Sequence, residues 1–426
     1  MAHIGGELIG QDAAWAVYST LGQGDPATAA SWARAMPAAG LTSLSAGLVE
    51  MSRALMMSVD GNGDGAIDTL ARSVQTVTPL GASALLPETP AAIAAILAMG
   101  RGEPETAQTF LERALSAGLG GAAGRARHQL LLGWALMLQG RLASADEAAG
   151  SVQEPEDLGE RERLLYWCLR AGISRRRADT TALRVEWHEI RRLMLGMSVT
   201  LYDLLPIGEM LVTAARVREP ERMREVIQDA VALLERAGNP VAWSAAFHWH
   251  VVQAAFQSND TTMLLPAASA LAQASPISPY AATLADAGNT WLQILRDETD
   301  YGAVEESVRA LAAHGHAWDA ARLAGHAALQ HPERDGALAM MQLARDVDRS
   351  NARQPRIASQ TSSLTAREVD VARLVLEGHG YRTIGQQLFI SPKTVEHHVA
   401  RIRGRLGATS RGELLEMLHT EVAKFD

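Results

Sequence analysis

Apolar residues recur at helical spacing from about residue 10 to residue 348, and short turns rich in Gly, Pro, Asp and Asn separate the segments. Residues 90–118 and 127–150 each contain an apolar helix, a turn with glycine, and a second helix with alanines on its packing face. Residues 211–238 and 304–329 repeat this theme. No segment shows the period-two alternation of a half-buried strand between turn residues. The pattern therefore predicts an all-α region built from pairs of helices.

Helix pairs of this kind bury their apolar faces only by stacking on their neighbours, so we expect an α-solenoid. Small residues such as Gly133, Ala135 and Ala145 would let helices cross closely, with Leu and Trp filling the space between them. Residues 90–150 resemble tetratricopeptide repeats, with degenerate spacing and no complete consensus. The resemblance implies a tetratricopeptide-like sensor or interaction domain over residues 1–349.

A polar segment without periodicity follows, SNARQPRIASQTS at residues 350–362, and it is interpreted as an interdomain linker. Residues 363–426 form the remaining domain, in which start and stop signals predict four helices. The second helix is short, about residues 382–388, and a tight turn separates it from the third. The signals are two capping boxes, a helix-ending glycine and a capped proline start: Thr365 with Glu368, Gly378, Ser391 with Pro392, and Ser410 with Glu413. This order predicts a helix-turn-helix.

The third helix of this domain has two distinct faces. One face is apolar at i, i+4, i+7 and i+11 and should pack on the first two helices: Val395, Val399, Ile402 and Leu406. The other face mixes small, basic and hydrogen-bonding residues: Lys393, Glu396, His397, Ala400 and Gly404, flanked by Arg401, Arg403 and Arg405. Small residues let the backbone lie close to a flat partner, and this geometry favours entry into a DNA major groove.

Charge is unevenly distributed along the chain. The whole protein has a formal net charge of −9, which by itself argues against DNA binding. Between His379 and Gly412, however, six basic residues stand against one acidic residue, a formal charge of +5. A local basic face matters more for phosphate contact than the whole-chain charge, so the charge pattern agrees with DNA binding.

The motifs LTARE and IGQQLFISPKTVEHHVARIRGRLGATSR closely resemble the DNA-binding domain of LuxR-type (NarL/FixJ-like) regulators, over about 60 residues. The resemblance implies a four-helix domain whose third helix reads DNA and whose fourth helix often mediates dimerisation. By position, it implies base contacts from Glu396, His397 and Ala400. It implies phosphate contacts from Lys393, Thr394, His398 and Arg403, with Arg382 as a further candidate. Arg401 belongs to the same basic surface.

Five positions depart from the family pattern. Gly380-Tyr381 replaces the usual Ser-Asn or Thr-Asn pair before the second helix, which weakens that cap. Gly385 replaces a usual alanine and should cost about 1 kcal/mol of helix stability. Ala400 and Glu396 stand where some relatives carry lysine. A carboxylate is repelled by phosphates, so Glu396 would have to accept from a base edge, for which cytosine N4 is the natural donor.

Other constellations point to no catalytic, metal or cofactor site. Residues 60–68 match the first nine positions of an EF-hand loop, but Ala71 replaces the bidentate glutamate, so an ordinary turn is favoured over a weak calcium site. His248 and His250 lie about 200° apart on a helix and cannot share a metal. The sequence contains no phosphate-binding GxxxxGK[ST] loop and no nucleophile paired with a base at interpretable spacing.

The composition of the chain indicates its cellular compartment and the type of organism it comes from. No apolar run reaches the length of a membrane span, the N-terminus lacks the features of a secretory signal, and the lone cysteine, Cys168, suits a reducing cytoplasm. Thirty-seven arginines against two lysines indicate a GC-rich genome and hence a bacterium.

The sequence thus predicts a non-enzymatic, sequence-specific transcription regulator. It would bind double-stranded DNA as a homodimer on an inverted repeat, while the helical array senses a small molecule or a protein, and RNA polymerase is a candidate partner. The alternative left open is a repeat scaffold whose C-terminal domain binds a protein.

Overall fold

The computed structural model describes residues 9–36, 42–84, 86–152, 157–352, 366–377 and 379–387, together with 395–396, 399, 402, 415 and 417–418. The chain divides into two compact units, Met1–Arg353 and Gln354–Asp426. Every regular element in these residues is a helix, which confirms the all-α class.

The first unit contains eighteen α-helices within its described residues. The first nine are α1 (Ile9–Gly22), α2 (Pro26–Ala35), α3 (Ser43–Val59), α4 (Gly63–Val77), α5 (Pro90–Gly100), α6 (Pro104–Ser116), α7 (Gly121–Leu138), α8 (Leu142–Gly150) and α9 (Glu160–Arg176). The next nine are α10 (Thr180–Leu193), α11 (Leu204–Arg216), α12 (Arg224–Arg236), α13 (Val241–Ser258), α14 (Thr261–Ala274), α15 (Pro279–Leu295), α16 (Tyr301–Ala313), α17 (Ala317–Gln330) and α18 (Arg334–Ala352). Short 3₁₀ helices span Thr78–Ser83, Leu201–Asp203 and Pro220–Met223.

These helices stack in layers. Consecutive helices pack against each other from α1 to α11 and from α13 to α18, and each odd-numbered helix from α1 to α15 also contacts the next odd-numbered one. The odd-numbered helices line the interior: in α5, every residue from Pro90 to Met99 is buried. A helix that is apolar on all sides has to be covered on all sides, whereas amphipathic helices such as α4 and α6 keep a polar face in water. The stacked pairs agree with a solenoid, and the resemblance to tetratricopeptide repeats remains a prediction.

Helix α13 joins the later part of the array to its beginning. It contacts α3 and α5 as well as its neighbours α11, α14 and α15. The indole Nε1 of Trp243 donates to Ser58 Oγ at 2.9 Å, 185 residues away in the chain. Helix α13 therefore packs against the first helices of the array as well as against its neighbours in the chain.

A buried ion-pair cluster lies at the junction of α9, α11 and α17. The carboxylate of Glu209 is fully buried and accepts from Arg175 Nε at 2.6 Å, from Arg175 Nη2 at 3.0 Å and from Arg176 Nη1 at 3.0 Å. The Arg175 guanidinium also lies over the ring of Trp318, 4.6 Å from its centroid. Burial by itself would raise the pKa of Glu209, but the two arginine charges outweigh it and lower that pKa to about 2.

Close helix crossings occur at the predicted small residues. A methyl group added at Gly133 in α7 would lie 2.6 Å from Leu169 Cδ2 in α9, which is closer than real contacts allow. Ala135 and Ala145 are fully buried. Cys168 is buried as well, and burial raises the pKa of its thiol, so it is held in its unreactive form.

The acidic stretch at residues 60–68 is a turn followed by a helix. Asp60 ends α3, and Asn62 caps α4 by accepting from Gly65 N at 3.0 Å. The side chain of Asp64 forms an ion pair with Arg101. The turn interpretation therefore agrees with the structure.

His248 and His250 lie in α13 as predicted, and the described residues hold no group of three metal-ligating side chains. Within those same residues, no helix is long and apolar enough to cross a membrane.

Candidate nucleic-acid interface

The second unit begins with two helices at the predicted positions. Helix α19 (Ala366–Leu376) starts one residue after the predicted cap at Thr365, and α20 (Tyr381–Gln387) lies one residue before the predicted second helix. The predicted caps themselves, Thr365 and Gly378, lie outside the described residues.

The connection between these helices is held by local hydrogen bonds. His379 N donates to Leu374 O at 3.1 Å, and Ile384 N donates to Gly380 O at 3.0 Å, which closes the first turn of α20. The carboxylate of Glu377 lies 3.2 Å from His379 Nε2. Gly380, which departs from the family pattern, supplies a backbone carbonyl here but no capping side chain, so the connection relies on its backbone.

A small apolar core joins α19 and α20 to residues further along the chain. Six residues, each at most 1% exposed, form it: Val371, Ala372, Ile384, Val395, Ile402 and Leu418. Half-buried residues pack around them, among them Val399 and Met417. Val395, Val399 and Ile402 are helical and point into this core, as the sequence spacing predicts. Leu406, the fourth residue of that predicted face, lies outside the described residues.

Burial of Val395 fixes the orientation of the helix that carries it. Val395 is fully buried, whereas the adjacent Glu396 is exposed to solvent and helical. Successive residues of an α-helix are about 100° apart, so burying one face turns the side chain of Glu396 away from the core. The candidate base-contacting carboxylate is therefore accessible.

Arg382 is the second predicted contact that the structure describes. It is the second residue of α20 and is exposed, whereas Ile384, two residues later, is buried and anchors the same helix in the core. Its guanidinium can therefore reach a phosphate without any desolvation of the core.

The other predicted contacts lie outside the described residues: Lys393, Thr394, His397, His398, Ala400, Arg401 and Arg403. Their assignment rests on the sequence and on the family resemblance alone.

Sequence reasoning assigned no residue to the sensing role of the helical array. The described residues of that unit line two sizeable surface clefts, with volumes of about 670 and 930 Å³. The smaller cleft is walled by helices that are far apart in the chain, residues 18–23 and 160–203, so no local motif could have indicated it. The larger cleft is lined by residues 220–277, from consecutive helices. Trp167 lines the smaller cleft.

Comparison with known proteins identifies the second unit. Residues 362–418 match the family model described as bacterial regulatory proteins, luxR family, so the C-terminus carries a LuxR-type helix-turn-helix domain. An HTH-type transcriptional regulator of Mycobacterium bovis is 40% identical over 68 residues, which are 16% of this chain and 8% of the relative. A Mycobacterium tuberculosis protein of the same type matches to the same extent. The oxygen regulatory protein NreC of Staphylococcus aureus is 36% identical over 70 residues, which cover 32% of its length.

Each match thus spans less than a third of the relative concerned. The similarity to each of these relatives covers 16% of this chain.

Proposed function

We propose that this protein is a sequence-specific DNA-binding transcription regulator. The observation that carries the proposal is the orientation of the third helix, with Val395 in the core and Glu396 exposed, within a domain that matches the LuxR family. A helix held in this way by α19 and α20 has one face free to enter a major groove. The named relatives, two of them called transcriptional regulators, support the same assignment.

The contacts divide into two chemical classes. Glu396, His397 and Ala400 are the proposed base contacts, because the family resemblance implies them and helical spacing puts them opposite the apolar stripe. The proposed phosphate contacts supply positive charge or hydrogen-bond donors around that face: Arg382, Lys393, Thr394, His398, Arg401 and Arg403. Base contacts would set specificity, and phosphate contacts would set register and most of the affinity.

A homodimer on an inverted repeat is the proposed binding form. The fourth helix offers apolar surface for such pairing: Leu418 is buried in the core, while Leu415 is only half-buried. Two third helices in a dimer would reach half-sites roughly one helical turn, about 34–36 Å, apart.

The helical array is proposed as the sensor, at residues 1–349, joined to the DNA-binding domain by the segment 350–362. Its clefts support a small-molecule or protein effector, and RNA polymerase remains a proposed partner of the DNA-bound form. We propose no catalytic activity for the chain.

The experiment that tests DNA binding is a double substitution, Arg401→Ala with Arg403→Ala, compared with a matched double substitution in the array, Arg113→Ala with Arg125→Ala. Arg113 and Arg125 are suitable control positions because both are exposed on the helical unit. Fluorescence anisotropy with a duplex selected from random DNA should show loss of binding for the first variant and wild-type affinity for the second. Equal affinity of both variants would favour the scaffold alternative, in which this domain binds a protein.

A further inference from the structure

The smaller cleft of the helical unit has the size of a small-molecule site. Its volume is about 670 Å³, within the range of roughly 300–1,000 Å³ typical of ligand pockets. Its walls are the end of α1, the start of α9, the end of α10 with the segment after it, and the 3₁₀ helix Leu201–Asp203. A ligand there would contact the beginning and the middle of the array at once.

Three arginines line this cleft, and they differ in how their charge is compensated. Arg161 Nη1 lies 2.7 Å from Glu88 Oε2, and Arg192 Nη1 lies 3.1 Å from Glu189 Oε2. Arg163 has no ion-pair partner in the part of the chain that the structure describes, and its Nε is buried without a hydrogen-bond acceptor. A buried donor without an acceptor is unfavourable, and more so when it is charged, so Arg163 is poised for an anionic acceptor.

Aromatic side chains form another part of the wall. Tyr18 and Tyr202 stack with their centroids 4.4 Å apart, and the Tyr202 hydroxyl donates to Tyr18 O at 2.8 Å, which fixes both rings. Trp167 lies one helical turn after Arg163 on α9, so its half-buried indole and that guanidinium share a face. Burial, assisted by the charge of Glu88, raises the pKa of Tyr18 to about 12, so its hydroxyl stays neutral at pH 7.

The combination of an uncompensated guanidinium with an aromatic wall selects one class of ligand. We propose that this cleft binds a small organic anion, with its carboxylate or phosphate on Arg163 and a flat apolar body against Trp167. The anion supplies the acceptor that Arg163 Nε lacks, and the apolar body buries indole surface. Binding itself is independent of DNA; only its regulatory consequence rests on the proposed function.

The test is isothermal titration of the full-length protein, without DNA, with phenyl phosphate and with benzoate. Benzamide, which has the same ring and no charge, is the neutral control. We expect at least one of the two anions to bind at least tenfold more tightly than benzamide, and the preferred one identifies phosphate or carboxylate as the anionic group. Because no DNA is present, failure here is distinguishable from failure of DNA binding.

Two substitutions locate the site and one serves as the matched control. Arg163→Gln removes the charge and should weaken anion binding roughly ten- to hundredfold, as expected for a lost charged hydrogen bond. Ser198→Glu places a negative charge on an exposed residue of the cleft and should weaken it comparably without affecting folding. Arg184→Gln, on the exposed surface of α10, should leave binding unchanged.

Anions that bind no better than benzamide would overturn the proposal. Wild-type affinity in both Arg163→Gln and Ser198→Glu would overturn it too. If Arg163→Gln proves unfolded in a thermal melt, the exposed Ser198→Glu variant decides the outcome alone.

Discussion

Substitution of Glu209 by glutamine is the sharpest probe of the helical unit. The amide keeps the size of the side chain but removes the negative charge between Arg175 and Arg176, whose side chains are only 3% and 6% exposed. Removing one partner of a buried ion pair typically costs about 3–5 kcal/mol, because the remaining charge stays buried. Glutamine keeps one acceptor oxygen, so we expect a loss near the lower end, about 3 kcal/mol in the free energy of unfolding.

Urea denaturation followed by circular dichroism measures this loss. The control is Glu189→Gln, since Glu189 forms a partly exposed i,i+3 pair with Arg192 and should change stability by less than about 1 kcal/mol. The pKa of Glu209 is lowered to about 2, so its stabilisation is complete above the ordinary carboxyl pKa and is lost as the pH falls toward 2. The difference between wild type and variant should therefore shrink over that acidic range. A Glu209→Gln protein within 1 kcal/mol of wild type at pH 7 would refute the reasoning.

Three further predictions address the second unit and the pH dependence of the first. Ile384→Ala should lower the free energy of unfolding of the small C-terminal core by about 2–5 kcal/mol and thereby unfold it. Thermal melts should then lose one transition and DNA binding should disappear, whereas a variant that binds DNA with full affinity would contradict this. Arg382→Ala should weaken binding to all sequences similarly and reduce the slope of log affinity against log salt by about one, whereas an unchanged slope would exclude a phosphate contact. Burial lowers the pKa values of His128 and His250 to about 4, so the unfolded chain binds more protons below pH 6.5. The urea concentration at the midpoint of unfolding should therefore decrease as the pH is lowered from 6.5 to 4. A constant midpoint over this range would contradict the burial of neutral histidines.

Local signals in the sequence predicted the helices well. Residues 90–118 form α5 and α6, and α20 lies within one residue of its predicted position. Periodicity, capping residues and turn glycines act over a few residues, so they are readable from a single chain. The buried positions of Val395 and Ile402 followed from the same helical spacing.

Long-range packing was not predictable from these signals. Nothing local indicates that Trp243 donates to Ser58, or that α13 contacts α3 and α5. Glu209 lies in the apolar run LLPIGEMLV, which signals a buried charge, but its partners Arg175 and Arg176 belong to another helix. The anion cleft is likewise assembled by folding, since Tyr18 and Arg163 are separated by most of the first half of the array.

The central claim is sequence-specific DNA binding, and selection of random duplex DNA by the full-length protein at two salt concentrations tests it most directly. The account predicts enrichment of an inverted repeat and an affinity that falls steeply with salt, because several phosphates are neutralised on binding. If no sequence is enriched at either salt concentration, the C-terminal domain does not read DNA in this protein, and the account is contradicted.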